Sequence, residues 1–163
     1  MGRKGSSRAR GGYPERRHPA RSVYNRRPVA MPRGKITPRG YTDEPASAGI
    51  HARLPELDTW PNQFPGYEIT IRFPEYTSVC PKTGLPDYGA ITIQYMPEKR
   101  CLELKALKLY LLAYRNLGIF YENAVNRMLR DIVAAVRPKR CVVRGEFTPR
   151  GGLTTQVEAH WPR

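Results

Sequence analysis

The chain has 163 residues, 28 of them lysine or arginine and 14 acidic, which gives a formal net charge of +14. This length fits one domain with an ordinary core, and no apolar run is long enough to span a bilayer, so the sequence predicts a soluble, cytoplasmic protein. Its three cysteines form neither a disulfide framework nor a CxxC pair, as is usual in a reducing compartment.

The positive charge is concentrated near the N-terminus. Residues 1–40 hold 12 basic residues and one acid (+11), whereas residues 41–163 hold 16 basic and 13 acidic residues (+3). The N-terminal segment is also rich in Gly, Pro and Ser, so it cannot bury enough apolar surface to offset its ordering entropy. We therefore expect residues 1–50 to be a basic, disordered extension. It is an RNA-binding arm, a solvated extension, or untranslated sequence upstream of a start at Met31.

Residues 51–66 are rich in proline and lack a regular period, which predicts a segment that docks on the domain. Its expected apolar anchors are Leu54, Leu57, Trp60 and Phe64. The catalytic domain is predicted to span residues 67–163. Alternation of apolar and polar residues predicts its first two strands around 69–73 and 91–95, followed by a turn and a short extended piece at 101–103.

The apolar period then changes to that of a helix. Apolar residues at three- and four-residue spacing predict one helix from 104 to about 114, with Gly118 as a left-handed C-terminal cap. A second helix is predicted over 119–136, stopped by Pro138.

Two further alternating stretches, 141–148 and 153–160, predict strands joined by a Gly-rich turn. The predicted order is ββααββ, an α+β fold with an antiparallel sheet and two helices on one face. One sheet face stays uncovered, which predicts a homo-oligomer with sites between its subunits.

The segment 77–88 is the most informative feature for chemistry. It places Cys80 and Asp87 seven residues apart in a predicted loop that is interrupted by two prolines and Gly84. The thiol is therefore expected to be exposed at a strand edge, where the cation of Lys82 favours the nucleophilic thiolate. A nearby carboxyl group can move protons. The alternative is a buried structural cysteine, but its polar neighbours favour the catalytic interpretation.

Cations follow on the first predicted helix. Lys105 and Lys108 lie three residues apart on one face, Arg115 lies near the same side, and Arg150 is in the Gly-rich turn. Such cations either hold the phosphates of a nucleotide cofactor or are simply solvated. The GxGxxG and GxxxxGK[ST] patterns are absent, so a Rossmann or P-loop site is not supported.

Glu122, in the first turn of the second predicted helix, has two interpretations. It either interacts favourably with the helix dipole or accepts two N–H bonds from a guanine-like base edge. A metal site is not supported, because His160 is the one histidine in residues 67–163 and no Cys or acid cluster has zinc spacing. The shortage of histidine also excludes a Ser/His/Asp triad.

Over residues 67–160 the chain resembles the NADPH-dependent 7-cyano-7-deazaguanine reductases, the nitrile reductases of queuosine (tRNA modification) biosynthesis. The resemblance rests on these segments: 78–87 around the thiol, 103–110 (ELKALKLY), Arg115-Asn116, Glu122 and 147–152 (FTPRGG). It implies the tunnelling fold (T-fold), a ββααββ unit that assembles into rings. The short, single-module form that the chain is similar to pairs two pentamers into a decamer.

The resemblance also implies a role for each matching residue. Cys80 would attack the nitrile carbon to form a covalent thioimide, and Asp87 would act as the general acid. Two hydrides, each from a separate NADPH, would then give the aminomethyl product. The residues implied in substrate binding are Leu102, Glu103, Leu104, Tyr121 and Glu122. The residues implied in binding the NADPH phosphates are Lys105, Lys108 and Arg150.

The chain departs from the family pattern at Tyr121, where many members have histidine. The reference pKa of tyrosine, near 10, makes it a poor proton shuttle at neutral pH, while packing and hydrogen bonding remain open to it.

Two alternatives follow from the same residues. One is an amidine-forming relative that acts on the nitrile base in tRNA and needs no lysine-bearing signature. The other is a non-enzymatic RNA-binding protein that uses the basic extension. A zinc-dependent, pterin-forming relative of the same fold lacks its histidine ligands.

Overall fold

The computed structural model describes Gly2 and residues 43–162. Most of the basic extension predicted for residues 1–50 lies outside these residues. The expected disorder does not hold for the part that is described, since Asp43–Ala46 is helical and the Ala46 and Gly49 carbonyls accept side-chain hydrogen bonds. The division into extension, docking segment (51–66) and catalytic domain (67–163) stays a prediction. No helix within residues 43–162 has the length and apolarity that crossing a membrane requires.

The elements, in chain order, are α1 (Asp43–Ala46), β1 (Thr59–Pro61), β2 (Ile69–Val79), β3 (Pro86–Met96), β4 (Arg100–Leu102), α2 (Leu104–Leu112), a 3-10 helix (Ala113–Asn116), α3 (Tyr121–Val136), β5 (Arg140–Arg150) and β6 (Leu153–Trp161). The four long strands and the two long helices follow the predicted order ββααββ. Of the three short elements, β4 corresponds to the short extended piece predicted at 101–103, and α1 and β1 are additions.

The four long strands form one antiparallel sheet in the order β2-β3-β5-β6. Residues that face each other share a face of the sheet, and Ile71, Ile93 and Val143 form one such row on the apolar face. Helix α3 packs on β5 and β6, and α2 with the 3-10 helix packs on β2. On the opposite face, Arg72 and Arg144 flank Thr92. One face is therefore apolar and covered by helices, as alternation predicted.

Strands β2 and β3 are longer than the alternating stretches suggested. They pair up to Val79 and Pro86, so the loop between them contains only residues 80–85. The prediction that Asp87 lies in the loop is wrong, because it is the second residue of β3 and pairs with Ser78. Pro86 is compatible with this extension, since a proline is tolerated as the first residue of a strand.

The docking segment is held by the anchors that the sequence predicted, with one exception. Leu54 and Leu57 pack against the core, and the indole N–H of Trp60 donates to the Leu102 carbonyl at 3.2 Å. The prediction is wrong for Phe64, whose side chain is 73% exposed. Its carbonyl accepts a hydrogen bond from Asn62 in a local turn that leaves the ring outside the core.

The helix boundaries differ from the predicted ones by a few residues. Helix α2 ends at Leu112 and continues as the 3-10 helix, and α3 starts at Tyr121 instead of 119. Gly118 is not a left-handed cap; it forms a bridge with Val79, which explains why the chain is extended there. The left-handed cap is Arg137, at the end of α3 (φ 47°).

Candidate active site

The cysteine predicted to be the nucleophile lies in a tight turn at the end of β2. The amide of Cys80 donates to the Leu85 carbonyl, and the amide of Gly84 donates to the Cys80 carbonyl, both at 2.9 Å. Gly84 has a φ of 68°, a conformation that favours glycine. The Cys80 side chain is neither exposed fully nor buried among core residues. The Cys80 thiol is therefore partly exposed and follows the end of β2, in agreement with the expected position.

The surroundings of the Cys80 thiol favour its ionised form. Burial by itself raises its pKa, but hydrogen bonds from the Thr83 hydroxyl and from the amides of Thr83 and Lys82 outweigh burial and hold the pKa below its ordinary value. The sequence pointed to the charge of Lys82 as the cause. The larger contributions come from hydrogen-bond donors of the turn, so the turn itself activates the sulfur.

Asp87 is buried beside this turn, with only 3% of its surface exposed. Its Oδ1 accepts a hydrogen bond of 2.7 Å from the Tyr121 hydroxyl. The Arg150 guanidinium forms an ion pair with the same carboxylate and donates to the Pro86 carbonyl. A buried carboxylate needs such partners, and these two also fix its orientation. The negative charge of Asp87 acts on Cys80, which places the two side chains in one electrostatic environment.

Tyr121 is held by the core as well as by Asp87. Its ring stacks on Phe147, with 3.7 Å between ring centroids and 12° between planes. Burial, followed by the hydrogen bond to Asp87 and the charge of Asp87, raises the pKa of Tyr121 to about 12. Its hydroxyl therefore stays protonated at neutral pH and donates to Asp87 without exchanging a proton.

A backbone bridge connects the nucleophile to the start of α3. The amide of Val79 donates to the Leu117 carbonyl at 3.0 Å, and the amide of Ile119 donates to the Val79 carbonyl at 3.1 Å. Cys80 follows Val79, and Tyr121 lies two residues after Ile119, so both functional segments are fixed to one bridge. Glu122, next along α3, is exposed.

The residues around Glu103 lie at a different place. The Glu103 carboxylate caps α2 by accepting from the amides of Lys105 (2.9 Å) and Ala106 (2.7 Å). These amides lower the pKa of Glu103. The buried Leu102 donates its amide to the Tyr95 hydroxyl at 3.0 Å. Leu104 is 62% exposed and opens the solvent face of α2.

One chain cannot bring all the predicted site residues together. Tyr95, which contacts Leu102, and Asp87 are eight residues apart on β3. At about 3.3 Å per strand residue, their backbones are roughly 26 Å apart. A small heterocycle cannot span that distance. The structure therefore joins Cys80, Asp87, Tyr121 and Arg150, and it leaves Leu102, Glu103 and Leu104 at the far end of the strand.

The predicted cofactor residues are divided in the same way. Lys105 and Lys108 extend from the exposed face of α2 and form no ion pair with any residue in the described range. They fit a phosphate chemically, since they offer charged donors on one face. Arg150 is bound to Asp87 at the other end of β3.

Two clefts lie near the nucleophile turn. One, of about 730 Å³, is lined by Tyr88, Phe147 and Arg115 among others, and a second, of about 420 Å³, is lined by Gly84, Pro86 and Arg115. Neither cleft is lined by Cys80 or by Asp87. Among residues 43–162, no three His, Cys, Asp or Glu side chains are grouped to hold a metal ion.

Relatives of known name match most of this domain. An NADPH-dependent 7-cyano-7-deazaguanine reductase of Elusimicrobium minutum (strain Pei191) is 55% identical over 125 residues, 76% of this chain and 95% of the relative. The chain belongs to this reductase family. A reductase of the same name from Chloroherpeton thalassium (strain ATCC 35110 / GB-78) is 56% identical over 107 residues, which cover 64% of this chain and 92% of the relative. The family model described as QueF-like protein matches residues 86–163.

A solved structure shows the fold independently. The crystal structure of the archaeosine synthase QueF-Like in the apo form is similar with a TM-score of 0.54 and 24% identity, over 57% of this chain and 91% of that chain. The predicted family and the predicted ββααββ tunnelling fold are both confirmed. The roles of individual site residues stay predictions of the reductase family resemblance.

Two residues near the reductase site were not expected from the pattern. The Thr83 hydroxyl lowers the pKa of the thiol, and a hydroxyl residue three positions after a cysteine in a tight turn is the signal that could have identified it. Phe147 supports the Tyr121 ring, and its place on the apolar face of β5 follows from alternation. Its stacking partner belongs to another element, so no local pattern indicates the contact.

Proposed function

We propose that this protein reduces the nitrile of 7-cyano-7-deazaguanine to an aminomethyl group with NADPH, in queuosine biosynthesis, through a covalent thioimide on Cys80. It is an oxidoreductase of a family whose members are named as NADPH-dependent reductases of this base. The observation that carries the mechanism is the reachable Cys80 thiol with a lowered pKa beside the buried, oriented carboxyl group of Asp87. The free thiols of residues 43–162 also support a reducing, cytoplasmic setting.

The first step forms the thioimide. As the Cys80 sulfur attacks the nitrile carbon and one C–N π bond breaks, the Asp87 carboxylate takes the proton of the thiol and passes it to the nitrogen. Tyr121 and Arg150 hold the Asp87 carboxyl group in place during this transfer. After the carbon has been reduced, the carbon–sulfur bond breaks and the Cys80 thiolate leaves. This regenerates the nucleophile for the next substrate.

NADPH, when bound, supplies one hydride per molecule, and two molecules together with two protons convert the nitrile to the primary amine. Lys105, Lys108 and Arg150 would hold its phosphate groups as charged hydrogen-bond donors.

Two chains are needed to build one site in this proposal. Glu122 would accept the N–H groups of the base edge close to Tyr121, on the chain that supplies the nucleophile. The Leu102–Leu104 segment would come from a neighbouring copy, because it lies near the far end of β3 in the same chain, and the lysines of α2, the helix that starts in this segment, would come with it. A closed ring of copies provides such a contact at every subunit, and a decamer of two facing pentamers is the assembly we propose.

Mass spectrometry of the intact protein mixed with the nitrile, without NADPH, tests the function and the nucleophile together. The expected result is an added mass of one substrate molecule, absent from Cys80→Ala and retained by the buried-thiol control Cys141→Ala. Burial raises the pKa of Cys141 to about 12, so it remains an unreactive thiol. Absence of the adduct from the wild-type protein, or NADPH oxidation that does not depend on the nitrile, would contradict the proposal.

An assay of NADPH oxidation with the free base as substrate separates the reductase from the amidine-forming alternative. A reductase consumes two NADPH per free base, whereas the alternative consumes ammonia and requires the base in tRNA. The exposed lysine pair of α2 supports the first, since only the first needs a nucleotide phosphate site.

A further inference from the structure

The segment 46–52 crosses the start of α3, and we call it the strap. The side chain of Asn123 donates to the Ala46 carbonyl at 2.7 Å. The two terminal nitrogens of Arg127 donate to the carbonyls of Gly49 and Ala52. The strap is therefore attached to α3 at three backbone carbonyls, within two turns of Tyr121.

Arg127 is buried, with 7% of its surface exposed, and each nitrogen of its guanidinium group has a partner. In addition to its two bonds to the strap, its Nε faces Asp131 Oδ2 at 3.4 Å. Asp131 in turn accepts a hydrogen bond of 2.8 Å from the Tyr110 hydroxyl. A planar fork can contact two carbonyls and one carboxylate at once, which the single ammonium of a lysine cannot reproduce.

Gly49 brings the strap into direct contact with the bridge beside the nucleophile. Its φ is 75°, and a Cβ at this position would lie 2.5 Å from the Gly118 carbonyl oxygen and 2.8 Å from the Ile119 Cβ. Gly118 and Ile119 belong to the segment that bonds to Val79, the residue before Cys80. Only glycine fits here, both for its backbone angle and for the space.

We propose that Gly49 and Arg127 are positioning residues of the reductase site. Through them the strap holds the 117–119 segment against Val79, and this contact sets Cys80 relative to Tyr121 and its partner Asp87. The catalytic consequence rests on the proposed function, whereas the contact between strap and bridge does not. A displacement of the nucleophile by about 1 Å can slow a reaction about a hundredfold, so a contact outside the site controls its rate.

Hydrogen exchange in the full-length protein tests the contact without any substrate. Gly49→Ala is compared with Gly66→Ala, a matched control whose φ is 80° and whose Cβ would meet nothing within 4 Å. We expect the amides of Val79 and Ile119 to exchange at least about tenfold faster in Gly49→Ala and at the wild-type rate in Gly66→Ala. Unchanged exchange in Gly49→Ala, or equal changes in both variants, would overturn the proposal.

Kinetics then test the consequence for catalysis. In Gly49→Ala, addition of the nitrile to Cys80 should slow by about tenfold or more, while alkylation of Cys80 by iodoacetamide stays within about twofold of wild type. A variant that is only less stable would show wild-type rates of both nitrile addition and alkylation at temperatures well below its melting temperature. If Gly49→Ala fails to fold, the milder variant Asn123→Ala replaces it. Asn123→Ala should slow nitrile addition by a smaller factor and leave alkylation unchanged. A normal rate of nitrile addition in Asn123→Ala would then overturn the proposal.

The two proposals fail in different ways. If wild-type protein forms no nitrile adduct but Gly49→Ala still loosens the amides of Val79 and Ile119, the proposed function is wrong and the strap contact stands. If the adduct forms equally fast in wild type and Gly49→Ala, the function stands and the positioning role is wrong.

Discussion

At one end of β3 the functional side chains bond to one another, whereas at the other end most of them extend into solvent. Asp87, near the start of the strand, is buried and bound by Tyr121 and Arg150. Near the end of the strand, Tyr95 fixes the amide of Leu102, and the helix that follows exposes its lysines. The first group is organised within one chain. The second group needs another surface before it can hold a ligand.

Under the proposed function, this difference would divide the chemistry between two chains. Groups that move protons or form bonds must be fixed within a fraction of an ångström, and the sheet and α3 achieve this inside a single fold. Groups that bind phosphates or a base edge tolerate more freedom, so a neighbouring chain can supply them.

Mixing of two inactive variants should give the largest effect, and it tests directly whether the two ends of β3 contribute to one site from different chains. Cys80→Ala and the double variant Lys105→Ala with Lys108→Ala should each be nearly inactive alone. If the two ends of a site come from different chains, random mixing in equal amounts restores about a quarter of wild-type activity, because half of the chains are intact at each end. The activity of the mixture is measured as nitrile-dependent NADPH oxidation after the two variants are refolded together. If no activity is recovered, both ends of the site lie in one chain.

Removing the hydroxyl of Tyr121 tests the organised end alone. Tyr121→Phe keeps the stacking on Phe147 but removes the donor to Asp87. We expect kcat to fall about ten- to a hundredfold, because the general acid loses one of its two orienting partners. Tyr88→Phe, which removes the hydroxyl of an exposed tyrosine, is the control. Equal kcat values for the two variants would show that Tyr121 does not orient the acid.

At the open end, a single lysine substitution should affect cofactor binding more than chemistry. Lys105→Ala or Lys108→Ala should raise the KM for NADPH by about tenfold, the usual value of a charge-assisted hydrogen bond, with a smaller change in kcat. Lys99→Ala, which removes an exposed cation near β4, should leave KM unchanged. Steady-state kinetics at two salt concentrations measures this, and an effect on kcat alone would contradict the phosphate role.

Thr83→Val tests whether the turn activates the sulfur. Loss of the hydroxyl donor should raise the pKa of Cys80, so the alkylation midpoint moves to higher pH and the rate at neutral pH falls severalfold. The rate at high pH, where the thiol is fully ionised in both proteins, should be unchanged. A pH profile of iodoacetamide alkylation measures the shift, and an identical profile would exclude the Thr83 contribution.

The smallest expected effect is that of Glu103, whose carboxylate caps α2. Glu103→Gln should lower the melting temperature by a few degrees at neutral pH. The pKa of Glu103 is lowered in the folded state, so its stabilisation is present above the ordinary glutamate pKa and is lost as the pH falls through the folded value. The two melting temperatures should therefore converge in acid. A constant difference at every pH would argue against the cap.

Local patterns were sufficient for the long strands and helices and for the turn that carries Cys80. Alternation around Ile93 and helical spacing after Leu104 predicted the ββααββ order, because each period identifies one buried face. The prolines and Gly84 predicted the turn that presents Cys80. Element ends were less predictable, since Gly118 is engaged in a bridge to Val79 that no local signal indicates.

The sequence by itself determined the family, the antiparallel α+β fold and a thiol in a reachable turn, because these depend on residue type and spacing within short segments. Only the tertiary structure decided that Asp87 is buried under Tyr121 and Arg150, and that the segment of Leu102 and Glu103 lies near the opposite end of β3. Both facts depend on contacts between segments distant in the chain. The physical reason is that pairing of whole strands, set by the complete sheet, fixes which short segments become neighbours.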